Sequence, residues 1–203
     1  MARYTGPKTK ISRRYGVLLG GSPRAFENKN YPPGMHGPKG ARRKVSEYGT
    51  ALAEKQKLRF QYGVLERQFR RYFEMASRRR GITGLILLQL LETRLDNVIY
   101  RMGFAKTLSA ARQLVSHGHV LLNGRKTDIS SATLKIGDIV SIKGKVNSRQ
   151  LVERGLDQTQ ITEPPSWLLV DKEELTGKVL SIPTREEINP LVNEQLIVEH
   201  YSR

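Results

Sequence analysis

Apolar residues recur at helical spacing in the stretch that begins at Ser46. Ser46 is a favoured N-cap residue, and Gly63 supplies a stop because glycine readily adopts the left-handed conformation that ends helices. Between these two residues, positions three and four apart form one apolar stripe along the helix. A lysine contributes the aliphatic part of its side chain to this stripe. The stripe consists of Tyr48, Leu52, Lys55, Leu58 and Tyr62. We therefore expect a helix between Ser46 and Gly63.

A second and a third helix are predicted immediately downstream. Residues 64–80 combine an apolar stripe at helical spacing with arginines on the other surfaces. The stripe is Leu65, Phe69, Phe73 and Ala76, and the arginines are Arg67, Arg70, Arg71, Arg78, Arg79 and Arg80. Gly81 ends this helix. Thr83 can cap the third helix, whose run LILLQLL at residues 85–91 is apolar on every side and so predicts deep burial.

The pattern changes at Arg94 and predicts two short helices. The first has an apolar stripe of Leu95, Val98, Ile99 and Met102 opposite a polar stripe of Arg94, Asn97 and Arg101. Thr107 caps the second, which is expected to turn Leu108, Ala111 and Val115 inward and Ser109, Arg112 and Ser116 outward. Gly103 separates the two helices, and Gly118 supplies the left-handed residue that ends the second.

Short strands follow these helices. Asn123-Gly124 in HVLLNGRKT is the strongest short signal for a hairpin with a type I′ turn, and TLKIGDIVSIKGK adds another strand. PPSWLLVD and GKVLSIP predict two more, whereas residues 146–163 are polar and show no clear pattern. At the end of the chain we expect a helix capped by Asn189 with Pro190 at its first position, and with Val192, Leu196 and Ile197 turned inward.

These elements predict an α+β fold with three parts. Residues 1–45 combine proline, glycine and basic residues without periodicity, which predicts an extended basic arm. If the acidic closing helix packs on the basic helices, residues 46–93 together with 185–203 form one discontinuous all-helical domain. Residues 94–184 form an inserted α+β domain, with the helix-helix-sheet unit at about 94–155.

Charge narrows the range of partners. The 203 residues carry a net charge of +16, distributed as +15 over residues 1–80, +6 over 81–155 and −5 over 156–203. So strong a positive field favours a nucleic acid or an anionic membrane as partner. A membrane is the weaker option, because the longest apolar run falls far short of the roughly 20 residues needed to span one. The N-terminus also lacks the apolar core of a signal peptide.

Candidate chemistry is sparse. The chain has no cysteine, which excludes disulfides and thiolate zinc sites and fits a reducing cytoplasmic compartment. His117 and His119 lack the further ligands that zinc requires, and His117 is better placed to meet the negative end of a helix dipole. Ser109, His117 and Asp128 could be drawn as a triad, but no nucleophile elbow or oxyanion-hole glycines accompany them. We therefore expect no enzyme, metal or cofactor.

What remains is the presentation of basic side chains to a folded polyanion. If the two helices pack on the sheet, cations from both helices and from the hairpin share one side. Arginine and lysine bind phosphates, and small polar side chains can donate to phosphate or to the ribose 2′-hydroxyl. The groups concerned are Arg94, Arg101, Lys106, Thr107, Ser109, Arg112, Ser116, Asn123, Arg125 and Lys126.

A resemblance to a known family agrees with this interpretation. The segment RLDNVIYRMGFAKTLSAARQLVSHGHVLLNGRKTDI, with VSI downstream, resembles the RNA-binding module of the ribosomal S-four family. The same module occurs in pseudouridine synthases and in a heat-shock ribosome-binding protein. The flanks MARYTGPK, YGVLERQFRRYFEMA, RGITG, PPSWLLVD and NEQLIVEHYSR extend the similarity over residues 1–203, to the bacterial type of this universal family.

The resemblance implies a structural protein that is bound to the ribosome. Such a protein binds the 5′ domain of small-subunit rRNA early, nucleates assembly, touches neighbouring small-subunit proteins, lies near the mRNA entry channel and affects translational accuracy. Many relatives hold the arm with a cysteine-ligated zinc, which this chain cannot do. A modification enzyme carrying the module is one alternative, but it would need a catalytic domain, and residues 1–93 show only an arm and basic helices. A free stress RNA-binder is the other, and it would lack YGVLERQF and the acidic closing helix.

The expected RNA-binding residues combine the charge pattern with this resemblance. Those matching the module's signature are Arg94, Lys106, Thr107, Arg112, His117, Asn123 and Gly124, to which Arg101, Arg125 and Lys126 are added. In the helical domain they are Lys55, Lys57, Arg59, Arg67, Arg70 and Arg71. In the arm they are Arg3, Lys8, Lys10, Arg13, Arg14, Lys39, Arg42, Arg43 and Lys44, of which the last three match a basic stretch near the mRNA entrance.

Overall fold

The chain forms two compact units. A computed structural model of the protein describes residues 3–38, 45–158 and 164–202. The first unit comprises Met1–Gly84 and Pro190–Arg203, and the second comprises Leu85–Asn189. This division differs from the boundaries expected from the sequence, because it groups the basic arm with the helices and places the boundary at residues 84–85 rather than 93–94.

The first unit contains five helices within the described residues. They are α1 (Lys8–Tyr15), α2 (Pro23–Glu27), α3 (Glu47–Gln61), α4 (Glu66–Ser77) and α10 (Glu194–Ser202). The helix that joins the first unit to the second is α5 (Thr83–Glu92), which begins at the threonine that was expected to cap it. As predicted from its apolar run, α5 is largely buried, with Leu87, Leu88 and Leu91 fully inaccessible.

The expectation of an extended arm is wrong for its described residues. Gly16, at φ 67°, ends α1, and the following loop folds back on the helix. The Ser12 hydroxyl donates to the Gly20 carbonyl at 2.9 Å and accepts from the Leu19 N–H at 3.1 Å. The Tyr4 ring packs edge-on against Phe60, with centroids 5.3 Å apart. Local turns and aromatic contacts therefore order the arm without a hydrophobic core of its own.

Helices α3 and α4 largely follow the predicted pattern. The Ser46 side chain accepts from the Gly49 N–H, which confirms Ser46 as the N-cap of α3. Leu58 on α3 and Phe69 on α4 are fully buried, and α10 packs against α3. The first member of the predicted α3 stripe is wrong, because Tyr48 is 55% exposed.

The predicted cap of the closing helix is wrong. Thr184 caps α9 (Arg185–Ile188) with a capping box, in which its side chain accepts from the Glu187 N–H and the Glu187 carboxylate accepts from the Thr184 N–H. Asn189 adopts the left-handed conformation at φ 42° and ends α9, so α10 starts five residues later. At the start of α10 it is the Asn193 side chain that accepts from a backbone N–H, that of Gln195 at 3.0 Å, as an N-cap residue does.

The second unit is a five-stranded antiparallel sheet accompanied by short helices. Besides most of α5 and the short α9, its helices are α6 (Leu95–Arg101), α7 (Leu108–Ser116) and α8 (Val146–Gln158). The strands are β1 (Val120–Leu122), β2 (Arg125–Lys126), β3 (Ile139–Ile142), β4 (Leu168–Asp171) and β5 (Thr176–Val179). The strand order is β2-β1-β3-β5-β4, which confirms a mixed fold of helices with a small antiparallel sheet.

The core of the second unit lies between these helices and the sheet. The apolar stripe predicted for α6 is fully buried, and the predicted inward residues Ala111 and Val115 of α7 join it. Val140 on β3, Val179 on β5 and Trp167 complete this core. The sequence pattern missed α8, whose buried side consists of small or medium residues such as Ser148 and Val152.

Candidate nucleic-acid interface

Helix α7 is fixed at both ends by the residues that the sequence singled out. The Thr107 side chain accepts from the Ala110 N–H and caps the helix at its start. At the other end, His117 is the C-cap and Gly118 follows at φ 71°. Lys106, Thr107 and His117 are exposed, so both ends of α7 present polar groups to solvent.

The β1–β2 hairpin presents two further cations. Asn123 and Gly124 adopt positive φ of 49° and 77°, as the predicted type I′ turn requires. The Asn123 side chain is engaged within the protein, because it donates to Asp138 at 2.9 Å and accepts from the Ile139 N–H at 2.9 Å. Arg125 and Lys126 follow the turn on β2, and both side chains are exposed to solvent.

Three of the expected RNA-binding arginines are instead engaged with internal carboxylates. Arg94 is 1% exposed, and its guanidinium binds both oxygens of the buried Asp96 carboxylate at 3.0 and 2.8 Å. Arg112, at 8% exposed, donates to Asp96 Oδ2 from Nε at 2.8 Å and from Nη2 at 2.7 Å. The predicted exposed face of α7 is therefore wrong at Arg112, and that of α6 is wrong at Arg94.

The third arginine of this set binds Glu92. Arg101 Nη2 lies 2.6 Å from Glu92 Oε1, and its Nε lies 3.1 Å from Glu92 Oε2. Asn97, expected on the same exposed stripe, is also buried, and its amide donates to the Glu92 carbonyl at 3.0 Å. The buried carboxylates Glu92 and Asp96 thus form a polar network with Arg94, Arg112 and the partly exposed Arg101, which we call the α6 network.

The α6 network satisfies the condition under which charges persist inside a protein. Buried ions need a close counterion and hydrogen bonds to their remaining polar atoms. Asp96 accepts from two guanidinium groups and from the Asn97 N–H at 3.0 Å. The network therefore joins the start of α6 to the middle of α7 and fixes the framework that carries the exposed cations. The sequence signal for it was the pair of acidic residues in an otherwise basic stretch.

In the first unit, α4 presents an exposed basic surface. Its members are Arg67, Arg70 and Arg71, followed by Arg78, Arg79 and Arg80 beyond the last turn. Only a weak surface pair with Glu74, at 3.4 Å from Arg70, offsets this charge among the described residues. The prediction of a helix with an apolar back and a basic front is confirmed for α4.

The three expected cations of α3 are used within the unit instead. Lys55 is 5% exposed, and its Nζ lies 2.7 Å from Glu66, which Arg59 also approaches at 3.6 Å. Lys57 pairs with Glu54 at 2.6 Å. Lys55 is thus buried with the stripe to which its aliphatic stem was assigned, and its ammonium group pairs with Glu66 at the start of α4.

Glu66 also connects to the closing helix. The Tyr201 hydroxyl of α10 donates to Glu66 Oε1 at 2.8 Å. Burial alone raises the pKa of Glu66, but hydrogen bonds from Lys55 and Tyr201 and the charges of Lys55 and Arg59 bring its pKa below the ordinary value. Burial, together with the bond to Glu66, raises the pKa of Tyr201. The anionic carboxylate and the neutral phenol are thus the favoured pair.

The cations of the arm fall into three groups. Arg3, Lys8, Lys10 and Arg14 are exposed. Arg13 is half-buried, donates from Nε to the Tyr31 carbonyl at 3.0 Å, and stacks over the Tyr31 ring at 4.7 Å. Lys39, Arg42, Arg43 and Lys44 lie outside the described residues.

The part of the chain that the structure describes offers no assembled metal site. No group of three His, Cys, Asp or Glu residues there could hold a metal ion. His119 Nδ1 instead lies 2.9 Å from Ser148 Oγ. Within these same residues, no helix has both the length and the apolar character that crossing a membrane requires. The candidate chemistry is that of the exposed cations on the arm, on α4, at Lys106 before α7 and on β2.

Comparison with known proteins finds two family models that match successive parts of the chain. Residues 3–92 match the family described as Ribosomal protein S4/S9 N-terminal domain, and residues 93–140 match the S4 domain. The small ribosomal subunit protein uS4 of Akkermansia muciniphila is 62% identical over 203 residues. The proteins of that name from Opitutus terrae and Sulfurihydrogenibium sp. are 56% and 52% identical. In each case the similarity covers 100% of both chains.

Proposed function

Because this chain belongs to the family of small ribosomal subunit protein uS4, we propose that it binds small-subunit rRNA directly as a structural constituent of that subunit. The family is structural and non-enzymatic, which sets aside the alternative of a modification enzyme. Relatives named as small-subunit proteins match the chain from end to end, which also argues against a free stress RNA-binder.

The observation that carries this proposal is the division of the module's cations into two classes. Arg94, Arg101 and Arg112 are consumed by internal carboxylates. Lys106, Arg125 and Lys126 are exposed, and none of them forms an ion pair with another described residue. A rigid frame that holds exposed cations on helix and hairpin suits recognition of a folded RNA by its shape and its phosphates.

The site of action in our proposal is the 5′ domain of the 16S-type rRNA. There the protein nucleates subunit assembly, contacts neighbouring small-subunit proteins, lies near the mRNA entry channel and influences translational accuracy in the cytoplasm. The exposed α4 arginines and the arm support a broad contact with rRNA, because each phosphate contact adds affinity without requiring a base sequence. Arg42, Arg43 and Lys44 are the residues proposed to face mRNA.

Chemical footprinting on naked small-subunit rRNA tests the proposal. We expect protection confined to the 5′ domain, and co-sedimentation of the protein with small subunits from growing cells. The variant Lys106→Ala/Lys126→Ala should weaken the footprint, whereas the matched change Lys172→Ala/Lys178→Ala, at exposed positions beyond β4 and on β5, should preserve it. Protection elsewhere in the rRNA, or a protein found exclusively in the free fraction, would overturn the proposal.

A further inference from the structure

Helix α8 lies beyond the segment that matches the S4 domain, which ends at residue 140. It is nevertheless fixed to the module along its length. The Lys143 N–H donates to the His119 carbonyl at 2.8 Å, and Ser148 Oγ lies 2.9 Å from His119 Nδ1. Val152 is fully buried. Gly155 packs tightly against the Phe104 carbonyl, because a Cβ added to Gly155 would lie 3.3 Å from that carbonyl oxygen. The start of α8 is therefore held beside the end of α7.

Two cations lie at the start of α8, beside its buried side. The Arg149 N–H donates to the Lys145 carbonyl at 3.1 Å, so the two residues stand one helical turn apart and share a face. Both side chains are exposed, and neither makes an ion pair within the described residues. Charge of this kind remains available to an external anion.

Two further basic groups lie next to this face. The rings of His117 and His119 are 6.1 Å apart, and His119 contacts Ser148, the neighbour of Arg149. The Lys126 side chain packs against Gly118, because a Cβ added to Gly118 would lie 2.4 Å from Lys126 Cε. Residues 117–119 are thus in contact with Lys126 on β2 and with the first turn of α8. We call His117, Lys126, Lys145 and Arg149 the α7-end cluster.

We propose that Lys145 and Arg149 bind rRNA phosphates together with His117 and Lys126, so that the RNA-binding surface of the module extends onto α8. The cluster lies on three elements held by backbone and side-chain contacts, and it is therefore preorganised. Four basic groups that form no ion pair among the described residues suit a run of phosphates along an RNA backbone better than they suit a single small anion. This inference rests on the proposed function, since it names a further part of the same RNA-binding surface.

The test measures rRNA affinity as a function of salt for Lys145→Ala/Arg149→Ala. Each lost phosphate contact should lower the slope of log affinity against log salt by about one, so the double variant should lose about two. At moderate salt we expect roughly tenfold weaker binding. The matched control, Lys172→Ala/Lys178→Ala, removes the same charge from the β4–β5 hairpin, at the end of the strand order away from β2, and should keep the wild-type slope.

The outcomes separate this inference from the proposed function. If the wild-type protein does not bind rRNA, the proposed function and this inference are both contradicted. If the wild type binds rRNA and Lys145→Ala/Arg149→Ala has the same salt slope, only the inference is contradicted. If that variant fails to fold, amine acetylation of wild-type protein replaces it. Bound rRNA should then protect Lys145 while Lys178 stays reactive. Equal reactivity of Lys145 with and without rRNA would overturn the inference.

Discussion

At the scale of single residues, a positive charge on this protein has one of two roles. Asp96 binds Arg94 and Arg112 inside the module, whereas Lys106 and Lys126 remain exposed. The two roles cannot be separated by residue type, because arginine and lysine occur in both. They differ in whether a carboxylate lies within reach of the cation and whether the backbone around it is buried.

Charge reversal at Arg112 distinguishes the two roles. Arg112→Glu places a second carboxylate against the buried Asp96 and should lower the free energy of unfolding by about 3–5 kcal/mol, since an uncompensated buried charge is costly. Urea denaturation measures the loss. Lys106→Glu, at an exposed position before the same helix, serves as the control and should change stability by less than about 0.5 kcal/mol. Equal stability of Arg112→Glu and wild type would contradict the buried ion pair.

The exposed face assigned to α6 and α7 from the sequence shows where residue patterns fail. Periodicity correctly identified Leu95, Val98 and Ile99 as buried. It assigned Arg94 to solvent, because helical spacing indicates which residues share a face but not whether the opposite face is also covered. In α6 both faces are buried, and Asp96 makes this possible by supplying a counterion.

At the scale of elements, local signals succeed where one residue type dominates a turn or cap. Ser46, Thr107 and the Asn123-Gly124 turn all lie where the sequence predicted them. Helix α8 escaped prediction because Ser148 and Gly155, which face the module, carry little hydrophobic signal. Asn189 was misassigned because cap-forming residues also favour the left-handed conformation that ends a helix.

Glu66 connects three elements, and its titration should be visible in stability. Because its pKa in the folded protein is lowered, its contribution is fully present above the ordinary pKa and disappears as pH falls through the lowered value. We expect Glu66→Gln to cost about 1 kcal/mol at neutral pH, since the bonds to Lys55 and Tyr201 weaken. The difference between the variant and wild type should shrink in acid.

Urea denaturation at neutral and acidic pH provides the comparison. Glu74→Gln, whose carboxylate lies in an exposed pair on the same helix, is the control and should show little dependence on pH. A Glu66→Gln penalty that persisted unchanged in acid would show that the carboxylate charge contributes nothing to the packing of α10.

At the scale of the whole molecule, charge is segregated along the chain. The first 80 residues carry +15, and the last 48 carry −5. Composition alone therefore predicted a polyanionic partner. Composition could not predict which cations pair with carboxylates inside the protein. That pairing depends on the fold, which brings acidic residues such as Glu66 and Asp96 close to them. The candidate interface is accordingly smaller than a count of lysines and arginines suggests.

The salt dependence of rRNA binding measures the size of that interface. Log affinity should fall by roughly 0.7–0.9 per phosphate contact for each log unit of salt. With exposed cations on the arm, on α4, at Lys106 before α7 and on β2, we expect at least roughly a thousandfold loss between about 50 and 200 mM salt. Circular dichroism at both salt concentrations serves as the folding control. A flat response would exclude phosphates as the main contacts.

The division of the chain into units has a consequence for its synthesis. Helix α10 packs on α3 and belongs to the first unit, although the whole second unit is made before it. During translation, residues 85–189 emerge while the N-terminal helices still lack this partner. The second unit can therefore fold first, and the nascent N-terminal unit waits with part of α3 uncovered until residues 190–203 leave the exit tunnel.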